Sequence, residues 1–176
     1  MTDLLVRAAV PAEFATIAGL TVAAYRASGQ LNSEHDYTST LNDVAGRAAA
    51  GELLVAVDTR TDEVVGSVLF VLPGTPYAEL SGPGEAEFRM LAVDPAAQGR
   101  GVGETLARTC VARAAESGAD AVVICVRDFV TGAQRLYARL GFVRTPERDW
   151  SPGVGVDLLA LRLELAPATA RTGAAA

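Results

Sequence analysis

Glu85-Ala86-Glu87-Phe88-Arg89-Met90-Leu91-Ala92-Val93-Asp94-Pro95-Ala96-Ala97-Gln98-Gly99-Arg100-Gly101-Val102-Gly103-Glu104 decides the reading of this chain. Its first part is rich in apolar residues and ends at Asp94-Pro95, where the residue before a proline is pushed out of the helical region and the chain turns. The stretch 85–93 is therefore a predicted strand. After the glycines, Val102, Leu106, Cys110 and Ala114 recur every four residues, with Gly103, Ala107 and Val111 beside them. A helix reaching Glu116 would present that small, apolar face to a sheet, with Glu104 and Arg108 paired at i, i+4 on its outer surface. A helix that starts inside a glycine-rich loop leaves its first N–H groups without partners, and glycines let an anion approach that backbone. Such an end binds phosphate.

The commoner phosphate motifs do not fit. A Walker loop needs a lysine after its last glycine, and the chain contains no lysine. In a G-x-G-x-x-G fingerprint the third glycine would fall on Glu104 or Leu106, depending on the start chosen. The pattern that does fit is (Gln/Arg)-x-x-Gly-x-(Gly/Ala), met by Gln98, Gly101 and Gly103 directly after Leu91-Ala92-Val93. Further on, a buried-strand pattern at 121–126 precedes Ala133-Gln134-Arg135-Leu136-Tyr137-Ala138-Arg139-Leu140-Gly141-Phe142, of the form A-x-x-L-Y-x-x-x-G-F. With both motifs in this order, the chain resembles the GNAT superfamily of acyl-coenzyme A dependent N-acetyltransferases across about residues 85–145. One departure is Val130, three residues before Ala133, where the family often has Asn.

The resemblance implies an α/β (α+β) fold: a mixed, mostly antiparallel central sheet flanked by helices, its central strands splayed around acetyl-CoA as cosubstrate. It implies that backbone N–H groups of Gly99, Arg100, Gly101, Val102, Gly103 and Glu104 hold the pyrophosphate. Arg100 would add charge, Gln98 would shape the turn, and Leu91, Ala92 and Val93 would pair with the pantetheine arm at an open strand edge. Acetyl transfer to an amine needs a proton acceptor, because an alkylammonium near pKa 10 is not nucleophilic at neutral pH. Glu87 is the candidate base, acting directly or through water, with a half-buried salt bridge to Arg89 as the structural alternative. The departing thiolate needs a proton, and Tyr137 is the candidate acid, with helix-face packing as its alternative. Neither cysteine has an evident activating neighbour, so direct attack is expected, without a covalent enzyme intermediate.

The expected reaction moves acetyl to a primary amine, a small molecule being favoured over a protein N-terminus or lysine. A non-catalytic acyl-CoA sensor and an interaction scaffold are the other classes. Tyr25 and Tyr77 are candidate substrate contacts. Many relatives are dimers, so a homodimer is an expectation that the resemblance carries.

Composition bounds the rest. The chain has 176 residues, half of them hydrophobic, which suits one domain over 1–165, with 166–176 read as a disordered tail. A formal net charge of −6 disfavours nucleic acid and mildly attracts a cationic amine. No run of eighteen apolar residues suggests a membrane span, and acidic Asp3 stands where a signal peptide needs basic residues, so a cytoplasmic protein is expected. Cys110 and Cys125 lack metal-ligand spacing and read as small buried hydrophobes, with no metal expected. In chain order, the expected elements are a strand at 4–8, a helix at 11–27 and a break at 28–33. A helix at 37–50 follows, then a hairpin of 52–57 with 64–71. After it come a long Pro/Gly loop at 73–84, an irregular stretch at 144–155 holding Trp150, and a last strand at 156–165.

Overall fold

The structure, a computed structural model, describes residues 3–31 and 37–167. Part of the expected break at 28–33 and most of the expected tail lie outside the described residues. Among the described residues, eight strands form one sheet: β1 (Leu4–Ala8), β2 (Glu52–Asp58), β3 (Glu63–Val71), β4 (Glu85–Val93), β5 (Ala121–Arg127), β6 (Val143–Arg144), β7 (Trp150–Gly153) and β8 (Val156–Glu164). Their order is β1-β2-β3-β4-β5-β8-β6, with β7 also pairing β8. Every pairing is antiparallel except that of β4 with β5.

Five α-helices among the described residues cover the sheet: α1 (Phe14–Ala27), α2 (Thr38–Asn42), α3 (Val44–Ala50), α4 (Val102–Glu116) and α5 (Thr131–Arg139). Strand alternation divides the core. On one face Leu54, Val68, Phe88, Val122 and Ile124 pack with Leu106 and Cys110 of α4 and Tyr137 of α5. On the other, Val55, Val57, Leu69 and Val71 pack with Ile17 of α1 and Val44 of α3.

Two departures from the expected elements have local causes. The helix expected at 37–50 is broken at Asp43, whose side chain accepts from the Gly46 N–H at 2.9 Å and caps α3 instead of continuing α2. A Cβ at Gly46 would stand 2.1 Å from that carboxylate, so the cap needs glycine there. The stretch expected to be irregular carries β6, a 3₁₀ turn at Pro146–Arg148 and β7. Its order comes from partners distant in sequence: Arg148 donates to Glu85 and to the Leu80 carbonyl, and β7 lies on β8.

Two features of β4 shape the centre of the molecule. Pairing with β5 runs only from Glu85–Ala121 to Glu87–Val123, so beyond Glu87 the two strands diverge. On the other side, the register with β3 shifts between Ser67 and Leu69, which sets Val68 against both Met90 and Leu91. Met90 there has φ +53°, a β-bulge that bends the strand.

Candidate active site

Where β4 and β5 part, a cleft of about 270 Å³ passes through the sheet. On the α4/α5 side its walls are Phe88, Val130, Ala133 and Tyr137. Tyr25, Gln30, Tyr37, Glu79 and Arg89 line the opposite end, and Leu91, Cys125, Val126 and Arg127 flank the gap itself. The alternation of β5 turns Ile124 and Val126 toward α4 and Cys125 and Arg127 away from it. Two chemically different ends therefore meet in one opening.

The glycine loop lies at the C-terminal end of β4. Asp94 caps a 3₁₀ turn at Pro95–Ala97 by accepting from the Ala96 N–H, Gln98 returns to extended geometry, and Gly99 and Gly101 both adopt left-handed backbone, at φ +77° and +79°. A Cβ on either glycine would meet nothing within 4 Å, so the loop's concave side is open backbone. Gly101 is the N-cap of α4, which leaves the first-turn amides of Val102, Gly103 and Glu104 without intrahelical acceptors. The backbone therefore fits a pyrophosphate. The Arg100 guanidinium is ion-paired with Asp58 at the end of β2, where Arg60 also binds, and these hydrogen bonds hold the Asp58 carboxyl well below the usual carboxylate range. Gly66 of β3 lets α4 approach: a Cβ there would lie 2.8 Å from Val102 Cγ1 and 3.0 Å from the Ala92 carbonyl.

Tyr137 reaches the cleft from α5, where its ring is held by Phe88 and Phe142 at centroid distances of 5.9 and 5.8 Å. Among the described residues its hydroxyl has no hydrogen-bond partner, and burial pushes its pKa upward, which keeps the phenol protonated at neutral pH. Val130, at the family's Asn position, also lines the cleft, and α5 begins there without a side-chain cap.

Glu87 is 1 % exposed and is not among the residues lining the cleft. Its carboxylate accepts from the backbone N–H groups of Glu79, Leu80 and Ser81 at 3.1, 3.1 and 3.0 Å. The partner of Arg89 is Glu79, at 2.7 Å, not Glu87. Arg89 also donates to the Tyr77 carbonyl at 2.9 Å and the Tyr37 hydroxyl at 3.2 Å. Of the two candidate substrate tyrosines, Tyr25 lines the cleft beside Tyr37, ring centroids 6.1 Å apart. Tyr77 packs instead on the α1/α3 core and backs Arg89, whose guanidinium stands 5.9 Å from its ring centroid.

Cys110 is buried, but Cys125 is only half-buried: it lines the cleft and its sulfur accepts from the Trp150 indole at 3.3 Å. Glu79, Arg89, Tyr37 and Arg127 carry no motif of their own in the sequence. They come together through the splay and the loop 73–84, neither of which has a local signature.

The sequence profile described as the acetyltransferase (GNAT) family matches residues 19–142, and the chain belongs to that family. Its chemistry is therefore acetyl-CoA-dependent acyl transfer. Among solved structures, a GCN5-related N-acetyltransferase from Kribbella flavida is 28% identical, with 93% of this chain and 98% of that one aligned at a TM-score of 0.67. The histone acetyltransferase HPA2 and related acetyltransferase structure from Corynebacterium glutamicum is 26% identical, with 95% and 99% covered at 0.71. yncA from Salmonella typhimurium, solved with acetyl-CoA, has the same fold at 24% identity, 93% and 94% coverage and a TM-score of 0.65. No curated protein matches the sequence. Among the described residues, no helix is long and apolar enough to cross a membrane.

Proposed function

We propose that this acetyltransferase moves the acetyl group of acetyl-CoA to the primary amine of a small molecule. The observation that carries the reading is the cleft through the sheet, with an apolar, phenol-bearing end on the α4/α5 side and a charged, tyrosine-rich end opposite. Acetyl-CoA supplies the thioester. The amides of residues 99–104 bind its pyrophosphate, and the unpaired edge of β4 at Leu91, Ala92 and Val93 receives its arm. The Tyr137 hydroxyl gives its proton to the departing sulfur. The opposite end takes the amine, and the Glu79 carboxylate there can accept a hydrogen bond from its nitrogen. The whole opening is about 270 Å³, so the room beside the thioester suits a small amine better than a folded chain.

The test begins with thermal unfolding with and without acetyl-CoA, with ATP and NAD as controls. At about 100 times its Kd a ligand adds roughly 2.7 kcal/mol. A shift with acetyl-CoA alone is expected, and a shift with NAD or ATP instead overturns the reading of the loop. Thiol release is then measured with alkyl amines, polyamines, amino-acid amides and N-terminal peptides. Faster release with peptides than with any small amine overturns the acceptor class.

A further inference from the structure

We propose that Glu79, on the loop between β3 and β4, is the carboxylate that takes the acceptor's proton, and that buried Glu87 is the positioning residue that presents it. The proposal rests on the amine-acetylation reading above and names the base within it.

The loop is long and rich in proline and glycine, so nothing in its own sequence sets where Glu79 points. Its position is set from the sheet. Glu87 projects from β4 at the last rung before the splay and gathers the amides of Glu79, Leu80 and Ser81 onto its carboxylate. A buried carboxylate engaged by several amides is a strong, geometrically demanding anchor. With its backbone fixed in this way, Glu79 extends its side chain into the cleft and meets Arg89 at 2.7 Å. Arg89 is itself held by the Tyr77 carbonyl and the Tyr37 hydroxyl, so the carboxylate has a fixed seat.

The groups facing Glu79 are Arg89 and Glu87 of β4, Tyr37 ahead of α2, and Cys125 of β5. Burial lifts the Glu79 carboxyl above its ordinary value, with Glu87 adding to the rise and Arg89 opposing it. A carboxylate displaced toward neutrality is the better base for an ammonium. The proton count closes. The acceptor's ammonium first gives a proton to Glu79, which passes it to solvent; the free amine nitrogen then gives a second proton to Glu79 as its bond to the acetyl carbon forms. The carbon–sulfur bond breaks with its electron pair going to sulfur, and sulfur takes the phenolic proton of Tyr137. Solvent then removes the proton from Glu79 and restores that of Tyr137.

The test uses the full chain as wild type, E79Q, E87Q and S81P, the last deleting one donor N–H while leaving Glu87 in place. Acetyl-CoA binding by thermal shift is expected in all four, because none of the substitutions falls on the glycine loop or on Leu91–Val93. Its absence in the wild type would count against the donor reading alone. In protein carrying ¹³C at the glutamate carboxyls, the signal missing from E79Q belongs to Glu79. It is expected to titrate above the ordinary glutamate range in wild type and to move toward that range in E87Q and S81P. This measurement needs no acceptor.

With benzylamine, spermidine and glycinamide as probe amines, E79Q should lower kcat/KM by about 10²- to 10⁴-fold and abolish the acidic limb of the pH–rate profile. E87Q should lower kcat about tenfold and move that limb to lower pH, and S81P, which keeps the Glu87 charge, should move it in the same direction, a displacement that loss of the charge alone would not cause. A Glu79 signal unmoved in S81P, or full turnover by E79Q, overturns the proposal.

Discussion

Glu85 shows how much one side chain can hold together. It sits on β4 and accepts from Arg148 at 2.8 Å, from Arg162 of β8 at 3.2 Å and from the Gly82 N–H at 2.9 Å. The Arg148 hydrogen bond, acting against burial, brings its carboxyl down to about 2. A depressed folded-state pKa means the stabilisation is complete above the unfolded-state value of about 4.3 and is lost as pH falls toward the folded one. Glu85→Gln is therefore expected to cost roughly 1–3 kcal/mol at pH 7. The cost should shrink toward nothing near pH 2, as read from denaturant midpoints across pH. At Tyr137 the expected outcome separates chemistry from packing. Tyr137→Phe keeps the ring contacts with Phe88 and Phe142, so thermal stability should hold while kcat falls about 10²-fold or more. Gly101→Asp puts a carboxylate at an open, left-handed N-cap. It should abolish the acetyl-CoA thermal shift while costing the fold only about 1–2 kcal/mol.

At the scale of elements, α4 and the loop before it are set by neighbours distant in sequence. Gly66→Ala would drive a methyl into Val102 and the Ala92 carbonyl, lifting the N-terminus of α4 off β3. We expect about 1–3 kcal/mol of destabilisation, together with weaker acetyl-CoA binding, in the same melting experiment. Arg100 braces the loop against β2 through Asp58. Asp58→Ala and Arg100→Ala should therefore destabilise the protein non-additively in a double-mutant cycle on stability. These elements also show what the sequence could tell. Gln98, Gly101, Gly103 and the Leu136-Tyr137 segment were legible because glycine backbone freedom and a motif at fixed spacing are local properties. The hydrophobic periods similarly located β4, α4 and β5. Arg100 binding Asp58, Asp43 breaking a helix to cap the next one, and Glu87 gathering the amides of Glu79–Ser81 were not legible. Each is a choice among several possible partners, made only when the sheet has formed. Glu79 was hidden for the same reason: a loop glutamate gains its position from a strand residue eight places later.

At the scale of the whole molecule, the sheet is two leaves, β1 to β4 and β5 to β8, joined by the short pairing that ends at Glu87–Val123 and by the Glu85 clamp. Each leaf has continuous antiparallel pairing, whereas the seam between them is brief and then opens. The consequence concerns cooperativity. With so few hydrogen-bonded rungs at the seam, the two leaves can exchange amide protons through separate openings, each with its own free energy. A ligand arm lying in the gap would act as the missing strand and join both leaves into one cooperative unit. Hydrogen exchange should therefore report different limiting protection for residues 52–71 and 156–164 in the free protein, converging to one value with acetyl-CoA. The gap that makes room for chemistry would then also determine whether this fold unfolds in two steps or in one.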